Sequence, residues 1–367
     1  MKTYRLPLLP GPTTVHQEVL NAYHTDYGSA DVEPEFFELY EATQANLQKI
    51  MRTKNKIALM NGEAMVTLWG ALKSCLQPGD RVLAIATGVY GYGIGEMARA
   101  LGCQVETVGF NHDEAADPDR VEAALKIFQP KMVTMVHCET PSGILNPAAE
   151  VGQLVKRYAV PLYYVDAVSS VAGADVNTDA WGIDLCLAGT QKCLSAPPDV
   201  GIVSVSESAW DIIRRVNYQG YDALAPWERA LSNRWFPYTL SWHSTAALNT
   251  ACTLILSEGL DRVFQRHRDV ADYCRTRLKE MQLHLFPVDE GSSSPTVTAV
   301  KMPGNIDWFT LDGKLRSRGL ALGNSLEQLS GKVFRIGHMG QQANFELVEH
   351  GMDILEYILL LHHCPMA

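Results

Sequence analysis

The chain has no CxxC pair and no HxxxH or HxH spacing, and its eight cysteines, at positions 75, 103, 138, 186, 193, 252, 274 and 364, do not cluster. Zinc sites need closely spaced soft ligands and disulfide scaffolds need short cysteine-dense chains, so the pattern argues against both, and no metal is expected. Basic residues are in deficit: 31 Lys+Arg against 41 Asp+Glu give a formal charge of −10. With no broad basic face to release counterions, nucleic acid is not the expected partner. Runs of about 18 apolar residues are missing too, and the opening Met1-Lys2-Thr3-Tyr4-Arg5-Leu6-Pro7 lacks the apolar core of a signal peptide. A soluble protein without membrane contact is expected. Its thiols sit in apolar runs such as Ile183-Asp184-Leu185-Cys186-Leu187, where a free thiol behaves as a small hydrophobe, which suggests the reducing cytoplasm. Gly91-Tyr92-Gly93-Ile94-Gly95 lacks the GxGxxG spacing and the following acid of a dinucleotide fold, which argues against a Rossmann dehydrogenase. There are no repeats and no low-complexity segments.

What is present is an ordinary globular composition, 367 residues with 47% hydrophobic and 20% charged, enough for two or three domains. Seven short apolar runs, Ile57 to Met60, Arg81 to Ala86, Gln104 to Val108, Met132 to His137, Leu162 to Val165, Asp184 to Ala188 and Ile202 to Val205, are each bounded by Gly, Pro, Asn or Asp. Continuous runs of this kind predict strands buried on both faces. The segments Ala64 to Leu76, Tyr92 to Leu101, Pro118 to Phe128 and Ala148 to Tyr158 are long enough for crossover helices. Together they predict an α/β domain with a mostly parallel, seven-stranded sheet between helical layers. Past residue 206 an aromatic stretch, Tyr218 to Trp242, precedes a helical pattern from Ser244 through Met281 with a break at Glu258-Gly259. Strand candidates Thr296 to Lys301 and Val333 to Ile336, with helices near Trp308 to Arg318 and Phe345 to His362, read as a smaller C-terminal α+β domain. The expected division is an N-terminal arm over 1–20, a large domain over 21–255 and a small domain over 256–367. The arm, with Pro10-Gly11-Pro12, is expected to pack on the large domain or on a neighbouring subunit.

Ligands of open α/β sheets bind at the carboxyl edge of the strands, so polar residues following apolar runs carry the interest. Asp166 ends one run and Thr190-Gln191-Lys192-Cys193 follows another; Thr87-Gly88-Val89-Tyr90-Gly91 and Asn61-Gly62-Glu63-Ala64-Met65 follow two more. An acid and a lysine so placed are the two requirements of chemistry on a pyridoxal ring. The lysine amine forms a Schiff base with the aldehyde and shuttles a proton, and the carboxylate pairs with the protonated pyridine nitrogen. Tyr90 could stack on the ring. The Gly-containing turn at 61–65, opening a helix, is where a phosphate group normally sits.

On these residues, together with Gln77-Pro78-Gly79-Asp80, Glu139-Thr140-Pro141-Ser142-Gly143, Ala196-Pro197-Pro198 and Arg335-Ile336-Gly337, the sequence resembles the class V aminotransferases of fold type I nearly end to end. The resemblance implies that Lys192 is the imine-forming lysine and Asp166 the acid on the pyridine nitrogen, with Tyr90 stacked on the ring. It further implies that Thr140 lies near the ring hydroxyl, that Arg335 binds the substrate carboxylate, and that the site is completed in a homodimer or a dimer of dimers.

Two departures stand out. Glu63-Ala64-Met65 occupies the place of the phosphate cup, the resemblance implies that Gln191 also binds the cofactor, and Phe236, in Phe236-Pro237-Tyr238-Thr239, matches a tyrosine that relatives contribute from the partner subunit. By the resemblance Phe236 and Thr239 come from the neighbour. Both departures are similar to the pyridoxamine-pyruvate transaminase branch of the class, which takes unphosphorylated pyridoxal or pyridoxamine as substrate rather than as resident cofactor. The implied reaction converts pyridoxamine and pyruvate to pyridoxal and alanine at Lys192. A second arginine of that branch has no counterpart, since Gly323-Asn324-Ser325-Leu326 stands there. The alternative is a conventional transaminase with resident pyridoxal 5′-phosphate, acting on alanine or serine with glyoxylate or pyruvate. In either case the partners are a small amino donor and a 2-oxo acid. A lyase of the cysteine desulfurase type would need a mobile catalytic cysteine, and Cys193, adjoining Lys192, is poorly placed for one. An aminotransferase-like binding module is disfavoured by the presence of both Lys192 and Asp166.

Overall fold

The computed structural model describes residues 4–363, so residues 1–3 of the expected arm and the stretch from Cys364 to the terminus lie outside the described residues. All seven apolar runs form strands of one sheet. Their spatial order is Lys56–Asn61, Val200–Val205, Leu185–Gly189, Leu162–Asp166, Met132–Val136, Arg81–Ala86 and Gln104–Gly109. Val200–Val205 runs antiparallel to both its neighbours and every other pairing is parallel. The central strands are buried at every position because helices cover both faces, which is why their sequences lack alternation. The edge strand Gln104–Gly109 is largely half-buried or exposed.

The crossover helices are Ala64–Cys75, Val89–Ala100, Pro118–Phe128 and Ala148–Arg157. Asp117 caps the third by accepting the Asp119 N–H, with Pro118 in the first turn where no donor is needed. The long pattern after residue 241 divides into Trp242–Glu258 and Leu260–Glu280 at Gly259, whose φ of 89° suits glycine. A helix unassigned in the sequence analysis, Pro34–Ile50, buries Phe36, Phe37, Tyr40, Thr43, Leu47 and Ile50, an amphipathic spacing that packs onto the main core.

A second core forms around the antiparallel strands Val297–Lys301, Val333–Gly337 and Gly323–Asn324 with the helices Trp308–Ser317 and Phe345–His363. The start of the N-terminal arm belongs to it, and the rest of the arm packs on the large domain as expected. Leu6–Pro7 pairs in parallel with Leu320–Ala321, and Leu6 and Leu8 are buried in this second core. The arm then crosses to the large sheet, where the Thr13 N–H donates to the Gln191 carbonyl at 3.1 Å and its hydroxyl to the Lys192 carbonyl at 2.8 Å. Among the described residues no helix is long and apolar enough to cross a membrane, and no cluster of His, Cys, Asp or Glu is placed to hold a metal ion.

Candidate active site

The carboxyl edge of the sheet opens into a pocket lined by Glu63, Ala64, Met65, Leu68, Tyr90, Cys138, Thr140, Asp166, Val168, Ser169, Gln191 and Lys192. Parallel strands place these residues together because each strand delivers its following residue to the same edge. Asp166 is the last residue of Leu162–Asp166 and only 6% exposed. One of its oxygens accepts the Val168 N–H at 2.9 Å. Burial pushes its carboxyl up to about 6, against the opposing pull of Lys192. Lys192 lies beyond the next strand. Its amine is held below the ordinary lysine range, first by burial and then by the nearby Arg335 charge, and Nζ donates to the Pro10 carbonyl at 2.8 Å.

The arm therefore touches the reactive amine, a contact the sequence analysis does not foresee although it quotes Pro10-Gly11-Pro12. A Cβ on Gly11 would stand 2.6 Å from Lys192 Nζ, and the φ of 96° there also favours glycine.

Tyr90, half-buried, opens the helix Val89–Ala100. Across the pocket the Thr140 and Ser169 hydroxyls share a hydrogen bond of 2.5 Å. At the far end Glu63 caps the helix Ala64–Cys75: Oε1 accepts the Met65 N–H at 2.9 Å, and Oε2 accepts from Gln191 Nε2 at 3.1 Å. Gln191 Oε1 is buried without a hydrogen-bond partner. Lys192 is the one basic residue in the lining.

Arg335 stands beside this pocket, 8% exposed, on the strand Val333–Gly337. Its Nε donates to the Asn324 carbonyl at 2.9 Å, and Nη2 reaches the same oxygen. Burial pulls the guanidinium down to about 10, which leaves it charged at neutral pH. Near it, the Ser325 hydroxyl is engaged by the Pro141 carbonyl at 2.7 Å.

Two expected site residues lie elsewhere. Phe236 is 5% exposed and packs against Phe36, Phe37, Tyr40 and Trp227 of its own chain. Within the single chain its ring is enclosed by its own aromatic core. Thr239 is exposed; its hydroxyl donates to Asp31 at 2.6 Å and its carbonyl accepts from Asn61 at 2.8 Å. Neither residue lines the pocket. The pocket includes Leu68, Cys138, Val168 and Ser169, for which the sequence analysis names no role.

Class V aminotransferases use pyridoxal phosphate. The ring end of this pocket fits a pyridoxal group: a buried acid aimed from a strand end, a buried amine, an aromatic side chain and a hydroxyl pair. The phosphate end fits poorly, since the Met65 N–H at the helix start is already taken by a carboxylate.

Residues 9–328 match the Aminotransferase class-V family. The pyridoxamine-pyruvate transaminase of Mesorhizobium japonicum is 34% identical over 92% of this chain and 87% of its own length. The crystal structure of pyridoxamine-pyruvate aminotransferase from Mesorhizobium loti superposes with a TM-score of 0.95 at 30% identity, covering 100% of this chain and 94% of that one. The crystal structure of ureidoglycine-glyoxylate aminotransferase from Bacillus subtilis gives 0.95 at 31% identity, over 100% of this chain and 96% of that one. With fold, pocket and relatives in agreement, the chain belongs to the class V aminotransferases, enzymes that transfer amino groups between small molecules on a fold-type I scaffold.

Proposed function

We propose that this enzyme transfers the amino group of unphosphorylated pyridoxamine to pyruvate, giving pyridoxal and alanine. The observation that carries this reading is the engagement of Glu63 with the Met65 N–H and Gln191 Nε2. A phosphate at this end would meet a carboxylate instead of free donors, with no lysine or arginine nearby except Lys192. A 5′-hydroxyl, in contrast, can donate to Glu63 and sit against Ala64, Met65 and Gln191. The similarity to pyridoxamine-pyruvate transaminase supports the same reading.

When bound, the pyridine ring delocalises the electron pair left as a proton departs from the carbon beside the amino nitrogen. The protein's residues make this possible. Asp166 pairs with the pyridine N–H and keeps the ring cationic. Lys192 would be the residue that holds the aldehyde end of the ring and, when free, takes up and returns the proton, a task that its lowered basicity suits. Tyr90 stacks on the ring, and Thr140, held by Ser169, addresses the ring hydroxyl. Arg335, oriented by the Asn324 carbonyl, pairs with the pyruvate carboxylate.

One charge pair at 4 Å and an effective dielectric near 20 is worth about 4 kcal/mol. Solvent at the half-buried Glu63 screens part of this, leaving about a hundredfold preference for pyridoxal over its phosphate. Absorbance titrations should show that preference in the wild type, and Glu63→Ser should narrow or reverse it. Stoichiometric pyridoxal phosphate on Lys192 in the purified wild type, with no gain in phosphate affinity in Glu63→Ser, would overturn the reading in favour of a conventional class V enzyme.

A further inference from the structure

Tyr90 can hold a ring only as firmly as the start of its helix is held. The residue before that helix, Gly88, has no side chain to cap it, and the nearby donors find their acceptor 49 residues further along the chain. The Tyr90 N–H donates to Glu139 Oε1 at 2.9 Å and the Gly91 N–H to Oε2 at 3.1 Å. Glu139 is fully buried, and no lysine or arginine forms a salt bridge with it among the described residues. Burial pushes its carboxyl up to about 7, against the opposing pull of the two amides, which lie at the positive end of the helix dipole. The approach is close: a Cβ on Gly88 would lie 2.4 Å from Glu139 Cγ.

Glu139 is fixed in turn. It forms the short strand Cys138–Glu139, paired with Ile144–Leu145, and its carbonyl accepts the Gly143 N–H at 2.9 Å. Its neighbours on either side, Cys138 and Thr140, both line the pocket. Side chains in an extended segment alternate, so Glu139 faces away from the pocket into the helix start. One segment thus contributes Thr140 to the pocket lining and, through Glu139, holds the helix start that carries Tyr90.

We propose that Glu139 is a positioning residue that sets the spacing between Tyr90 and Thr140, and so the affinity of the site for the pyridine ring. This rests on the stacking role proposed for Tyr90. Glu139→Gln preserves size and one acceptor but turns an amide donor toward a backbone donor. It should weaken pyridoxal binding about tenfold in an absorbance titration while leaving the KM for pyruvate within about twofold. The decisive measurement is a double-mutant cycle with Tyr90→Ala. In the Tyr90→Ala background Glu139→Gln should change pyridoxal affinity less than about twofold, because the aromatic ring through which it acts is gone. An equal loss in both backgrounds, or no loss in either, overturns the proposal. Wild-type affinity in Tyr90→Ala alone removes the stacking role itself, whereas a weakened Tyr90→Ala beside an unaffected Glu139→Gln removes only the part assigned to Glu139. If Glu139→Gln fails to fold, Glu139→Asp, which keeps the charge but withdraws it by one methylene, must follow the same pattern.

Discussion

Two carboxylates face the same pocket and make the same local contact, each accepting the backbone N–H two residues ahead at 2.9 Å: Asp166 from Val168 and Glu63 from Met65. They differ in depth. Asp166 ends a strand in the middle of the parallel sheet, and burial, helped by the charge of Glu63, pushes its carboxyl up to about 6. Glu63 begins a helix near the sheet edge, half-buried, with a second donor from Gln191. Depth turns one short-range motif into two functions. The deep acid is costly to ionise until a cation arrives, which on the proposed reading would suit it to a protonated ring nitrogen. The shallow acid is already satisfied by two donors and, on the same reading, would disfavour a second anion.

The comparison breaks most severely at the deep end. Asp166→Ala should lower turnover by several powers of ten, since the unprotonated pyridine withdraws electrons poorly. Steady-state assays with pyridoxamine and pyruvate measure this, and retained turnover would mean that the ring nitrogen faces another acid.

A smaller effect sharpens the same contrast. The raised value of Asp166, about 6 against an ordinary 3.8, means that the ligand-free fold prefers the protonated acid. Its contribution to stability is then fully present below about pH 4 and is lost as pH rises through about 6. Thermal melts of the ligand-free protein between these values should show a downward component with rising pH that disappears in Asp166→Asn. Ring binding has the opposite trend, because only the ionised acid pairs with the pyridinium. An identical pH slope in Asp166→Asn would show that burial does not control this group.

Much of this was legible in the sequence for a physical reason. Strands buried on both faces must be apolar throughout, so the central runs stand out in the sequence, while the edge strand Gln104–Gly109, largely half-buried or exposed, is marked only by its flanking turns. Asp117-Pro118 and Gly259 are local signals, which is why the helices at 118 and 260 begin where expected. The two-residue strands Leu320–Ala321 and Gly323–Asn324 have no periodicity and exist only through their pairing partners. The intrachain aromatic packing of Phe236 is not legible from matching positions, because it depends on Phe36, Phe37 and Tyr40 far away in the sequence. The role of Glu139 is not legible in the sequence, since the contact that gives it one spans 49 positions. The helix Pro34–Ile50 is different: its spacing of buried residues was readable and simply unassigned.

The smallest effect separates the two roles that Glu63 combines. Its carboxylate caps a helix and also presents a negative charge to the pocket, and the two are independent in principle. Serine keeps a capping oxygen without the charge, whereas alanine removes both. Loss of such a cap costs about 1 kcal/mol, so ligand-free Glu63→Ala should melt about one to three degrees below Glu63→Ser in a chain of this size. Both variants should relax the discrimination against pyridoxal phosphate to a similar degree, because both lack the charge. If the two melt together, the Met65 contact contributes nothing to the helix start. If instead Glu63→Ser still excludes the phosphate while Glu63→Ala admits it, exclusion follows from the helix cap and not from the charge, and the contrast drawn between the shallow and the deep acid fails at its shallow end.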